Sequence, residues 1–321
     1  MNQSPHLLRP LVSVVIPSYN RAIDLVEAIS SALNQTFVSL EVIVVDDGSD
    51  DNTASAVAAV ADARLIYDRI DHAGPSVARN RGIELSKGEF IAFLDSDDVW
   101  YATKLERQLP LFENSEIGWT YTDLDYLGEG GPEPRRFQRI VPRRGHVMKS
   151  LFVDGCPMLT TSVILRRSCL DRTGLFDPEL LRWQDYDLYF RLAAFFRVDF
   201  VDEPLGRYWH RKRRRSDADI RLARQRVRTV QGRAMELDPS LRSCSSPEIR
   251  KAYLNNILEM GRLEFTSGNW SEARIHFREC LSFQPFWWKP RAGYAASLLP
   301  APAARAIAKA ELRRLSKRGG R

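Results

Sequence analysis

Three apolar runs, at residues 11–16, 40–45 and 89–94, each stop abruptly at polar turn residues. Runs this short and rich in Val, Ile and Phe read as buried strands. Between them the period changes. Leu25, Ala28, Ile29, Ala32 and Leu33 recur at helical intervals after Asp24. Asp50-Asp51-Asn52-Thr53 offers N-cap chemistry to an Ala- and Val-rich helix, and Gly74-Pro75-Ser76 opens another that runs to Ser86. Residues 64–67 supply a further short strand. Strand and helix alternating at this pitch call for a parallel sheet covered on both faces. Ligands of such sheets bind beyond the carboxyl ends of the strands. Three loops fall there: 17–21, 46–49 and 95–98.

The last of these loops carries the chemistry. Phe93-Leu94-Asp95-Ser96-Asp97-Asp98 sets three carboxylates directly after a core strand. Crowded carboxylates losing hydration cost free energy unless a positive charge joins them. A Mg²⁺ or Mn²⁺ ion suits such hard oxygen donors, and it usually shares its shell with substrate phosphates. A solvated acidic turn capping the next helix is the plain alternative. In the other loops, Asp47 can accept hydrogen bonds from a nucleobase or ribose, and Tyr19 can stack on a base. Arg79, on the helix after Gly74, can pair with a phosphate.

These stretches, PSYNR, VVDDGSDD, GPSVARNRG and FLDSDD in this order, closely resemble family 2 of the inverting, nucleotide-sugar-dependent glycosyltransferases. The resemblance spans about residues 13–99. It implies α/β architecture of the GT-A type: a mixed, mostly parallel sheet flanked by helices. It puts Pro17, Tyr19 and Asp47 in a nucleoside pocket, with Asn20, Arg21 and Ser96 beside them in the donor set. Arg79 falls near the donor phosphates, and Asp95 and Asp97 fall on the DxD pair that faces sugar and metal. The dinucleotide fingerprint GxGxxG is absent, which argues against a dehydrogenase.

Further along, 100–112 reads as a helix, 117–122 and 160–165 as strands, and the Gly-, Pro- and Arg-rich stretch 128–145 as a surface loop of lid or acceptor-facing kind. Trp183-Gln184-Asp185-Tyr186-Asp187 opens an apolar helix. The resemblance aligns Asp185 with the catalytic base and puts Thr161, Ser162, Trp183 and Gln184 on the acceptor side. An acceptor hydroxyl is a poor nucleophile, so a carboxylate in hydrogen-bond reach must take its proton. Asp187 is the competing candidate, with an ion pair to Arg191 four residues on as its plainer role. His210, after a strand at 198–201, is a further candidate toward metal or diphosphate.

The chain of 321 residues accommodates two domains, and its 44% hydrophobic content fits a globular core. The expected division is a catalytic domain over 1–238 and a helical extension over 239–321. In the extension, Gly261, Ala273, Phe277 and Pro285 look like one tetratricopeptide-style unit. Phe286-Trp287-Trp288 packs in its core or, as the alternative, meets a membrane interface. Cys156, Cys169, Cys244 and Cys280 show no zinc or disulfide spacing, which suits a reduced cytoplasmic compartment. No apolar run reaches spanning length and no signal-peptide pattern is present, so a soluble or membrane-peripheral protein is expected. The net charge of +6 is local, concentrated in arginines between 207 and 233 and in the tail. That basic region suggests contact with the inner face of a membrane.

The reading is an inverting, metal-assisted transferase. It moves a sugar from a nucleotide-diphosphate donor to a saccharide or lipid-linked acceptor in cell-surface polysaccharide or glycan assembly, with no nucleic acid partner. Two rivals stay open: a nucleotidyltransferase, and a helical-repeat interaction protein whose donor-binding domain has lost activity.

Overall fold

The computed structural model describes residues 10–180, 182–211, 216–242 and 246–318; side chains are described for these except 217 and 312–318. The chain divides into two compact units, 1–213 and 214–321.

In the first unit the strands are β1 (Val12–Ser18), β2 (Leu40–Asp46), β3 (Leu65–Arg69), β4 (Phe90–Phe93), β5 (Val99–Trp100), β6 (Ile117–Gly128), β7 (Gly131–Glu133), β8 (Ile164–Arg166) and β9 (Arg197–His210). The helices are α1 (Ala22–Leu33), α2 (Thr53–Ala58), α3 (Pro75–Leu85), α4 (Lys104–Gln108), α5 (Arg136–Arg139), α6 (Met148–Asp154), α7 (Arg167–Thr173) and α8 (Gln184–Phe195). One sheet runs β3-β2-β1-β4-β8-β6-β9-β5, with β7 paired to β6. β3, β2, β1 and β4 are mutually parallel, as the strand–helix alternation requires. β8 is antiparallel to β4 and to β6, so the sheet becomes mixed where the helical crossovers end. β6 and β9 are parallel, with register shifts that bend both.

The all-buried pattern of β1 and β2 follows from helices on both faces. α1 contributes Leu25, Ala28, Ile29, Ala32 and Leu33 to one core with Val12, Val14, Val42 and Val44. α3 lies close to the sheet because Gly82 faces Val15; a Cβ there would meet the Val15 side chain at 2.4 Å. That approach sets the depth of Arg79, one turn earlier.

Three local expectations change. Residues 160–162 form a 3-10 turn and only Ile164–Arg166 is strand. The helix expected over 100–112 begins at Lys104, since Val99 and Trp100 pair with β9, and it continues as a 3-10 helix over Leu109–Glu113. The stretch 128–145 holds β7 and α5.

The second unit comprises α9 (Asp217–Leu237), α10 (Pro239–Arg242), α11 (Pro247–Thr266), α12 (Trp270–Phe283), α13 (Trp288–Ser297) and α14 (Ala301–Arg318). α9 belongs with this unit, which therefore starts before residue 239. Its Arg221 and Arg228 pair with Glu264 and Glu279, both at 2.7 Å. The Phe277 ring is wedged between Gly261 and Gly293; a Cβ at either would come within 2.7 and 2.5 Å of it. Trp287 packs against the core while Trp288 and Phe286 are exposed. Among the described residues no helix is long and apolar enough to cross a membrane. Of the basic run 211–215, Lys212 to Arg215 lie outside the described residues.

Candidate active site

The acidic loop leaves the carboxyl end of β4 and is held from beneath. The Asp95 N–H donates to the Thr161 hydroxyl at 2.8 Å, and the Trp100 indole N–H donates to the Thr161 carbonyl at 2.8 Å. Thr161 and Ser162, expected on the acceptor side, are fully buried. Thr161 thus buttresses the acidic loop from within the core. Below them Lys104, also fully buried, lies over the Trp100 ring at 4.3 Å and donates to the Gln108 side chain at 2.8 Å.

Each carboxylate of the loop has a different environment. Asp95 pairs with Arg79 at 2.6 Å. Asp97 pairs with Arg21 at 3.2 Å and lies 3.8 Å from Arg211. Burial pushes the Asp97 carboxyl up; Arg21 opposes that and the Asp95 charge adds to it. Asp98 is buried and accepts from the Trp209 N–H at 3.2 Å, which ties β9 to the loop. Burial and then the Asp95 charge hold its carboxyl well above the usual range. Asp98 was absent from the expected site residues. Its presence in the acidic run was legible, but its burial was not.

Arg79 is 5% exposed, and its Nε and Nη1 have no hydrogen-bond partner. Buried donors are seldom left unpaired, so these two N–H groups fit an anionic ligand beside Asp95. Against the cost of burial, the Arg79 charge is favoured by Asp95 and also by Asp185.

Asp185 lies in the first turn of α8, after Trp183 in left-handed backbone at φ 68°. Its Oδ1 accepts from the Tyr186 N–H at 2.9 Å, and no other residue among those described donates to its carboxylate. Asp185 retains some accessible surface, yet the protein around it is dense enough that desolvation leads the upward shift of its carboxyl. The Tyr186 N–H and Arg79 act against that shift, and Asp95 adds to it. The neighbouring Gln184 has a buried, unpaired Oε1. Asp187 pairs with Arg191 at 2.8 Å, the plainer of its two expected roles.

On the nucleoside side, Tyr19 stacks on His72 with centroids 4.2 Å apart. Asp47 accepts from the N–H groups of Ala73 and Gly74 at 2.8 and 2.9 Å and contacts His72 at 2.9 Å, so it shapes the turn before α3. Asn20, at φ 52°, accepts from the Asp50 N–H at 2.8 Å, and its own N–H donates to Ser49 at 2.9 Å. It thereby clips the first loop to the second. Pro17 closes β1 opposite Val45, and Ser96 is buried inside the acidic loop.

His210 ends β9. Its Nδ1 lies 2.9 Å from Glu133. Among the described residues no three His, Cys, Asp or Glu side chains group as a metal site. His210 itself has one ring nitrogen beside a carboxylate. Asp95 and Asp97 remain a pair of hard oxygen donors that fit a cation completing its shell with donor phosphates.

The model for glycosyl transferase family 2 matches residues 13–171. The Escherichia coli UDP-Glc:alpha-D-GlcNAc-diphosphoundecaprenol beta-1,3-glucosyltransferase WfgD is 32% identical over 180 residues, 56% of this chain and 68% of the relative. This chain belongs to glycosyl transferase family 2. A glycosyltransferase of Rickettsia typhi is 32% identical over 206 residues, 61% of this chain and 63% of its own length. The family 2 chain thus spans somewhat less than two thirds of that relative. Its fold is GT-A: Staphylococcus aureus TarS 1–349 in complex with UDP-GlcNAc superposes with TM-score 0.61 at 17% identity, covering 94% of this chain and 91% of the other. The Pyrobaculum calidifontis mannosyltransferase PcManGT, in complex with GDP-Man and Mn²⁺, gives TM-score 0.55 at 19% identity over 97% and 83%.

Proposed function

We propose that this family 2 chain transfers a sugar from a nucleotide-diphosphate donor to an acceptor hydroxyl, with inversion, during assembly of a cell-surface polysaccharide or glycan. The observation that carries the reading is Arg79: one buried guanidinium pairs with Asp95 at 2.6 Å, is favoured electrostatically by Asp185, and keeps two nitrogens without a hydrogen-bond partner. Unpaired donors of this kind support a diphosphate bound beside the acidic loop, with Asp185 as the carboxylate that accepts a proton.

In the reaction, the Asp185 carboxylate takes the acceptor hydroxyl proton as the hydroxyl oxygen bonds to the anomeric carbon. The bond to the phosphate oxygen breaks with its electron pair, and Arg79 stabilises the charge that develops there. One displacement inverts the centre, so no second nucleophile is needed. The raised pKa of Asp185 makes it a stronger base than a solvated carboxylate. Asp95 and Asp97 would hold a divalent cation, which would supply positive charge to the departing diphosphate. A lipid-linked diphosphate sugar is the acceptor class favoured by the likeness to WfgD, whose name specifies such an acceptor.

The test is a panel of nucleotide sugars with Mn²⁺ or Mg²⁺, read by release of nucleoside diphosphate with and without saccharide acceptors. Transfer of a sugar with inverted anomeric configuration is expected. Silence with every donor and metal would favour the binding-protein rival, and release of a sugar 1-phosphate, the leaving group when a nucleotidyl group is moved, would favour the nucleotidyltransferase.

A further inference from the structure

α5 carries four residues of an Arg-rich stretch, and its placement is specific. Phe137 anchors it, with ring centroids 5.6 Å from Tyr121 and 5.5 Å from Phe200. The Phe137 N–H also donates to the buried Asp123 carboxylate at 3.3 Å. The adjacent Arg136 donates from Nε and Nη2 to the Cys156 carbonyl at 3.0 and 2.6 Å. Its neighbours in sequence are charge-paired: Arg139 lies 3.3 Å from Glu133 and Arg144 2.8 Å from Asp199. Among the described residues Arg136 has no carboxylate within ion-pair distance. A neutral carbonyl fixes its plane and leaves the charge uncompensated.

Its surroundings are those of the cleft. The Arg136 charge acts on Tyr186 and Cys156, which also sense Asp185. It acts equally on Tyr208, which senses Asp98, Asp95 and Asp97. The geometry agrees: the Tyr186 hydroxyl donates to the Leu151 carbonyl in α6 and the Tyr186 N–H donates to Asp185, so the segment 151–156 that Arg136 grips packs against the residue next to the proposed base. The donor diphosphate already has Arg79. An acceptor that presents its hydroxyl to the Asp185 carboxylate comes from the side that Arg136 borders.

We propose that Arg136 binds a phosphoryl group carried by the acceptor, next to the sugar that bears the reacting hydroxyl. This rests on the transferase reading above and narrows its acceptor to an anionic, phosphate- or diphosphate-linked saccharide. A half-buried guanidinium already held in plane loses little freedom on gripping a phosphoryl oxygen through its remaining N–H groups. Arg136 would be a specificity residue with no part in the proton transfer.

The experiment titrates the full chain, saturated with UDP and Mn²⁺, with dodecyl diphosphate and with dodecyl maltoside as the neutral amphiphile. Dodecyl diphosphate should bind. Arg136→Gln should weaken it about tenfold or more, Arg136→Lys should restore part of the loss, and UDP affinity should not change. Inorganic pyrophosphate in the same assay separates the charged group from the lipid tail; it should bind weakly and lose affinity in the same variant. No binding of dodecyl diphosphate by the native chain, equal losses for the neutral amphiphile, or a loss confined to UDP would each overturn the assignment. Binding is read without turnover, so it decides Arg136 even if no nucleotide sugar is transferred. That second failure would count against the transferase reading alone.

Discussion

The acidic loop and the start of α8 carry carboxylates within electrostatic reach of one arginine, yet they are treated in opposite ways. In the loop, Asp95 and Asp97 are each met by guanidinium groups, at 2.6 and 3.2 Å. Asp185 has no ion-pair partner among the described residues, and desolvation leads its shift. The loop is built to share its charge with cations. The helix start is built to keep a carboxylate basic. In the proposed reaction, substrate binding and proton abstraction use different surroundings for the same functional group, drawn from elements far apart in sequence.

The largest expected effect breaks the second environment. Asp185→Asn should lower the transfer rate by about 10²–10⁴-fold while leaving nucleoside diphosphate affinity nearly unchanged, as read by initial rates and calorimetry. A near-native rate would move the base elsewhere. Arg79→Gln acts on the link between the two regions and should cost about 10²-fold in kcat/KM, with weaker diphosphate binding as well.

Rates against pH sharpen the contrast further. Asp185 must be ionised to accept a proton, and burial raises its pKa. The rate should therefore fall as pH drops through a value above the ordinary carboxylate range and level off above it. Arg79 holds that pKa down, so Arg79→Gln should move the acidic limb to higher pH. An unmoved limb would separate Arg79 from Asp185.

The smallest effect lies beneath the loop, at a cation with no carboxylate among its described contacts. Burial drives the Lys104 amine well below its usual value. The unfolded chain then binds more protons between the folded and unfolded values, so stability should rise with pH across that window. Lys104→Met should remove this slope and cost little at neutral pH, because it replaces a desolvated amine by an apolar chain of similar length. Chemical denaturation at pH 7 and pH 9.5 measures it.

The parallel half of the sheet was readable because its signals are local. β1, β2, β3 and β4 sit where period and turn residues put them, and α1 buries the five residues its spacing names. The other half was less readable. β6 extends to Gly128 because β9, far along the chain, pairs with it over nearly its whole length. Residues 160–162 have strand-like composition but turn, since their carbonyls serve Trp100 and Gln108. The site divides in the same way. Asp95, Asp97, Arg79 and Asp185 are recognisable by type and order. That Asp47 spends both oxygens on a turn, or that His210 faces Glu133, depends on neighbours that only the folded chain brings near.

Trp183 holds a backbone shape that costs a non-glycine residue roughly 1 kcal/mol or more, and its indole rests 5.2 Å from Tyr186. Glycine would adopt that shape freely and take the indole away. Relief of the strain and loss of the contact with Tyr186 therefore oppose each other in stability, so the bend persists only while the packed indole holds it.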